Sequence, residues 1–176
     1  DAVGDLSEDP TEAMFFVAAA IVTRSSLTIR RAPIDFLSLE LEKLEAMGLR
    51  YSASERYKAK NGLTDLVDLE LKPSVLTALP EKIHAQPYPG LNIDNLPFFA
   101  VIATQANGIT LVHDWVYEHR AIYYTELEKL GARVILADPH RGFVVGPSKL
   151  HAASLVCPPA LRPATILLIA MLAAPG

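Results

Sequence analysis

A doubled phenylalanine recurs in this chain at a fixed distance, and that distance constrains the fold more than any single motif. A step of 83 residues carries Phe15-Phe16 onto Phe98-Phe99, Thr28-Ile29 onto Leu111-Val112, and Gly48 onto Gly131. Each copy reads alike. An apolar helix (FFVAAAIV; FFAVIATQA) precedes a short β-favouring run (LTIRR; ITLVH), and an amphipathic helix (FLSLELEKLEAMG; IYYTELEKLGA) follows. That second helix ends at Gly48 or Gly131, where a helix C-terminus favours a left-handed residue. Further β-favouring runs come next, LRYSAS and LVDLELK in copy one, RVILAD and GFVVG in copy two. The period is too long for a solenoid of small repeats. A third copy begins at Leu161, where RPATILLIAMLAAPG mimics LPFFAVIATQANG and stops at Gly176. The expectation is one domain over residues 1–176. Repeat one covers about 9–85, repeat two about 92–158, and the start of repeat three 160–176. Two full units and one helix read as part of a longer chain.

Composition narrows the class. With 176 residues, 51% hydrophobic and 20% charged, the chain can bury a real core and is not disordered. A net charge of −4 without clustered Lys and Arg argues against a nucleic-acid surface. Cys157 has no partner for a disulfide and reads as a small buried hydrophobe. The stretches Ala13–Val22 and Ala164–Ala174 fall short of the ~20 apolar residues that span a bilayer. No basic segment precedes an apolar one at the N-terminus, as a signal peptide requires. A soluble, cytoplasmic protein is expected. The segment Phe15–Val22 is apolar nearly all round, which implies burial on all sides, with sheets outside and helices inside.

Few residues could carry chemistry. Asp94 follows the loop PYPGLN, at the start of the helix that begins near Asn95. Spacing favours an N-cap or first-turn carboxylate, worth about 0.5–2 kcal/mol to the helix; a general base at a loop tip is the second reading, and the two are compatible. Glu118-His119-Arg120 lies between ITLVH and the second helix of copy two, and copy one has Asp35-Phe36-Leu37 there, with no arginine. This reads as a site specific to copy two, or as a solvated pair at a helix start with Arg120 outside. Arg162 stands before the third apolar helix, with Pro163 opening it. It reads as a surface arginine or as a bidentate partner for phosphate or carboxylate. The five histidines show no i,i+4 pair and no cysteine at zinc spacing, so a metal site is not expected. No dinucleotide fingerprint, phosphate loop or serine elbow occurs. From the residues alone, the chain is a repeated α/β unit with an acid and two arginines near helix starts.

The run PYPGLNIDNLPFF…GITLVHDWVYEHRAIYYTELEKLGARV…ALRPATILLIAMLAAPG resembles the enolpyruvyl transferases in the order and spacing of its motifs. The likeness covers nearly the whole chain and is nearest to the second domain of the branch that acts on UDP-N-acetylglucosamine. It implies an inside-out α/β barrel built from βαβαββ repeats with buried central helices, its third repeat truncated here. The activity it implies is transfer of the enolpyruvyl group of phosphoenolpyruvate to the 3-hydroxyl of the UDP-sugar in peptidoglycan precursor synthesis, with no cofactor. By motif match, Asp94 is the base that also holds the sugar hydroxyl, and Val116 is a backbone contact to the UDP-sugar. Arg120 and Arg162 line the interdomain cleft, where Arg162 meets phosphoenolpyruvate. The partner is the N-terminal catalytic domain, and the isolated piece is expected to lack turnover. Three positions depart from the family: Ala160 for Asp before Leu-Arg, Pro10 for a common arginine, and His119 for Asn. Cys157 sits in a different motif from the family's reactive cysteine. Two other readings stand beside this one. One is the relative acting on phosphorylated shikimate, which the Glu-His-Arg pattern fits less well. The other is a non-catalytic binding module, which Ala160 and Pro10 favour.

Overall fold

Two local signals start the first helix. Asp9 accepts a hydrogen bond from the Thr11 amide at 2.7 Å, and Pro10 takes the first helical position, where its missing N–H is not needed. Pro10 therefore has a local structural reason. The computed structural model describes residues 4–118 and 120–175; His119 and Gly176, both noted above, lie outside the described residues. Helix α1 (Pro10–Thr23) ends on Arg24 in the left-handed conformation. Strand β1 (Leu27–Pro33), helix α2 (Ser38–Met47), and strands β2 (Arg50–Ala53), β3 (Tyr57–Lys58) and β4 (Asp65–Lys72) complete the first unit. The second unit holds β5 (Ile83–His84), α3 (Leu96–Ala103), β6 (Gly108–His113), a 3-10 helix (Arg120–Leu130), β7 (Arg133–Asp138) and β8 (Arg141–Gly146), before α4 (Leu161–Ala173).

The two units share one pattern of strand pairing. β4 lies antiparallel between β1 and β2, and β8 lies antiparallel between β6 and β7. β3 extends the first sheet along β4, while β5 adds a parallel strand beyond β6, with Ile83 opposite Val112. The βαβαββ order is thus complete in the second unit. Gly48 and Gly131 end the two second helices at φ 113° and 91°, a region that a side chain would strain.

Together these elements make a mixed α/β fold with its apolar helices in contact. Helices α1, α3 and α4 pack on one another, α1 also against β1, and α3 also against β6 and β8. Phe15 meets Phe98 edge-on at 6.4 Å between ring centroids, and all eight residues of α3 are buried. Each fully buried Leu, Ile or Phe contributes about 1.5–3 kcal/mol through the surface it removes from water.

Three expectations are corrected. Helix α1 is not buried on all sides: Phe16 is 42% exposed and, with Leu27, Ile29 and Pro33 of β1, lines an open cavity of about 370 Å³. Packing against two helices and one strand leaves a stripe of it uncovered, as it leaves Leu168, Met171 and Leu172 of α4. The second helix of copy two winds as a 3-10 helix; its Ile122, Tyr123 and Thr125 are residue types that lose side-chain freedom in an α-helix. Cys157 is exposed, in an irregular segment where Pro158 and Pro159 keep the backbone out of helix and ladder. Among the described residues, no helix is long and apolar enough to cross a membrane.

Urea unfolding checks where the core lies. Phe98→Ala should cost about 3–5 kcal/mol, while Phe16→Ala, at the partly open position of the other copy, should change stability by about 1 kcal/mol or less.

Candidate active site

The chain leaves β5 through a tight loop. Gly90 N–H donates to the Pro87 carbonyl at 2.7 Å and Gln86 N–H to Leu91 at 3.0 Å. A Cβ on Gly90 would fall 2.3 Å from Gln86 Cβ, so the turn requires glycine. The Asp94 amide then donates to Asn92 Oδ1 at 2.8 Å, and α3 begins two residues later. The helix cap is Asn95, whose side chain makes no capping bond, and Asp94 does not cap α3 either. Its half-exposed carboxylate turns instead toward two cations: Oδ1 lies 3.6 Å from Arg162 Nε and 3.8 Å from Arg120 Nη1. At those distances the attraction is electrostatic, not a hydrogen bond.

Arg120 is buried, not outermost in solvent as one reading had it. Its Nε donates to Asp114 Oδ2, its Nη2 donates to the Ile93 carbonyl at 2.7 Å, and its guanidinium lies 4.5 Å over the Tyr117 ring. Asp114 is fully buried and also accepts from Tyr124 Oη at 3.1 Å. Burial, followed by the Asp114 charge, pushes the Tyr124 phenol well above its ordinary pKa, so it stays a donor. The first unit shows what this replaces. At the same step, Leu37 stands for Arg120 and Leu41 for Tyr124, both fully buried. Asp114 matches Arg31, where β1 bulges and continues; in copy two the chain leaves the sheet at His113, and Asp114 enters the polar network.

Arg162 sits in the first turn of α4, behind a cap residue, Ala160, that cannot bond the helix amides. Its buried Nε has no hydrogen-bond partner. Asp94, Arg120 and Arg162 line one open cavity of about 390 Å³, together with Tyr117, Glu118 and Tyr123. Val116 does not share it. This residue, 45% exposed, lines an adjoining cavity of about 500 Å³ with Phe36, Tyr88 and Trp115, whose indole N–H donates to the Ala85 carbonyl at 2.9 Å. Ile93 lines that second cavity too, so one loop borders both. The arrangement offers an acid, two guanidiniums and an uncapped helix N-terminus to an anionic ligand. Among the described residues, no cluster of ligating side chains could hold a metal ion. Asp114 and Tyr124 escaped the sequence reading, although polar residues at positions that are leucine in the other copy were a usable signal.

Comparison with known proteins adds lineage. The chain matches the family described as EPSP synthase (3-phosphoshikimate 1-carboxyvinyltransferase) over residues 4–176. It is 32% identical to the UDP-N-acetylglucosamine 1-carboxyvinyltransferase of Treponema pallidum (strain Nichols), over 87% of this chain and 35% of that protein. To the protein of the same name from Bacteroides thetaiotaomicron it is 31% identical, over 96% of this chain and 38% of that one. Among solved structures it is similar to the enolpyruvyl transferase NikO from Streptomyces tendae, with TM-score 0.78 and 27% identity, covering 97% of this chain and 38% of the other. It shares the fold of an EPSP synthase from Acinetobacter baumannii, with TM-score 0.79 and 20% identity, over 97% and 41%. The chain thus spans little more than a third of the length of the curated relatives it matches.

A mutant cycle read by urea unfolding tests the buried network. Asp114→Ala should cost about 3–5 kcal/mol, because it strands the Arg120 charge. Asp114→Ala with Arg120→Leu, the residue of the other copy, should recover at least about 1 kcal/mol of that loss; strictly additive losses would contradict the pairing.

Proposed function

The chain belongs to the EPSP synthase family of carboxyvinyltransferases, and from that premise we propose that it is part of an enolpyruvyl transferase whose acceptor is UDP-N-acetylglucosamine. The names of its curated relatives support the acceptor. The observation that carries the chemistry is the convergence of Asp94, Arg120 and Arg162, from three separate segments, around one carboxylate in one cavity. In the proposed reaction the acceptor 3-hydroxyl oxygen bonds C2 of phosphoenolpyruvate while C3 gains a proton. Phosphate then leaves C2, and the proton lost from C3 restores the double bond. Asp94 takes the hydroxyl proton and orients the sugar. Arg120 and Arg162 offset the negative charge of phosphate and carboxylate, and Arg162 has an unused N–H to offer. Val116 meets the UDP-sugar by its backbone, at the mouth of the aromatic cavity beside Asp94.

The same reading makes the chain a piece of the second domain, with repeats near 9–85, 92–158 and 160–176. A completed third unit closes the helices into an inside-out barrel, and the N-terminal domain supplies the rest of the cleft. The exposed apolar side of α4 at Leu168, Met171 and Leu172 supports a covering unit. Peptidoglycan precursor synthesis in the cytoplasm follows from the acceptor. A second reading, transfer to shikimate 3-phosphate, is favoured by the description of the family.

Phosphate release by the full-length protein that carries this chain tests the assignment. Asp94→Asn should lower kcat/KM by about 10²–10⁴. An unchanged rate would point to another base or to a non-catalytic module. UDP-N-acetylglucosamine, not shikimate 3-phosphate, should compete for the acceptor site. The 176-residue chain alone should release no phosphate.

A further inference from the structure

One buried carboxylate belongs to neither the core nor the arginine cluster. Glu40, on α2 of the first unit, is 2% exposed. Its Oε1 accepts the Asn95 side-chain amide at 2.8 Å and the Asn92 backbone N–H at 3.2 Å. Those two residues bracket Asp94. Asn92 Oδ1 in turn accepts the Asp94 amide at 2.8 Å, and Asn92 O accepts the Asn95 amide at 3.0 Å. Asn95 is fully buried at the cap of α3, yet its side chain makes no capping bond, because its amide nitrogen is directed at Glu40. An asparagine at a helix cap ordinarily accepts from the helix amides; this one donates to a residue 55 positions earlier. A carboxylate taken out of water is retained only where hydrogen bonds replace its hydration, and those seen here come from the Asp94 loop. The matching position in the second unit, Tyr123, lines the Asp94 cavity itself.

We infer that Glu40 is a positioning residue, by which the first unit holds the Asp94 loop of the second in place for the reaction. Its effect on catalysis rests on the function proposed above; its hold on the loop does not. Arg120 grips the same loop from the other side, through the Ile93 carbonyl. The loop is therefore fastened on both flanks of Asp94, by an anion at Asn92 and Asn95 and by a cation at Ile93.

Hydrogen exchange by mass spectrometry and steady-state kinetics on the full-length protein test this together. Glu40→Leu should speed exchange of the peptide covering residues 91–96 by about tenfold and lower kcat by about as much, the loss expected for a hydrogen bond to a charged group. The KM for phosphoenolpyruvate should move by less than about twofold, since the arginines stay in place. Glu40→Gln, which keeps an acceptor oxygen, should restore both loop protection and kcat. Asn95→Ala, which removes the donor and leaves Glu40 intact, should reproduce the loop effect, even if Glu40→Leu also loosens α2. Unchanged exchange in residues 91–96, faster exchange with unchanged kcat, or a glutamine variant as damaged as the leucine one would each overturn the inference. If the unsubstituted protein transfers no enolpyruvyl group, the proposed function falls, and the exchange data still decide whether Glu40 holds the loop.

Discussion

A guanidinium held largely away from water has to find its counter-charge inside the fold, and the second unit is arranged around that requirement. Arg120 is nearly buried and Asp114 entirely so, and each would be a heavy penalty alone. Asp114 Oδ2 accepts from both Arg120 Nε and the Tyr124 hydroxyl, and the Ile93 carbonyl accepts from Arg120 Nη2, while the buried Asp114 Oδ1 has no partner. The remaining nitrogen of Arg120 faces the Asp94 carboxylate. A structural ion pair thus ends at the cavity surface, and the rigidity of its buried end becomes precision at the exposed one.

The other unit of the chain supplies the control for this view. The first unit has the same strand order and the same helix ends, but leucines fill the places of Arg120 and Tyr124. The unit can therefore fold with an apolar filling, and the polar set is an addition to the scaffold. The two copies also cooperate, since Glu40 of the first reaches the loop of the second. The two units thus differ in filling: one is apolar at these positions while the other holds the polar set.

Several features were legible before any coordinates. Paired glycines at helix ends, the apolar helices and the strand runs follow from local periodicity and left-handed conformational preference, and the structure has them in those places. Ala160 reads as a carboxylate missing from the site; it lines the Asp94 cavity and is also the cap of α4, so its methyl group leaves the helix amides without a partner there as well. Cys157 looked like core by residue type, but two following prolines keep its segment irregular and at the surface. The aromatic and β-branched residues of Arg120–Leu130 carry helical spacing, yet that spacing does not distinguish an α-helix from the tighter winding found here.

By itself the sequence determined the repeated unit, the apolar faces of its helices and the presence of one acid and two arginines near helix starts. Those properties depend on neighbours within a few turns, where side-chain period and backbone preference act directly. Only the tertiary structure decided that Asp94 faces Arg162, 68 positions later, that Arg120 lies inside, and that Asn95 serves Glu40 instead of its own helix. Buried polar groups take whichever partner the packing of distant segments brings within about 3 Å, and no local pattern records which partner that will be.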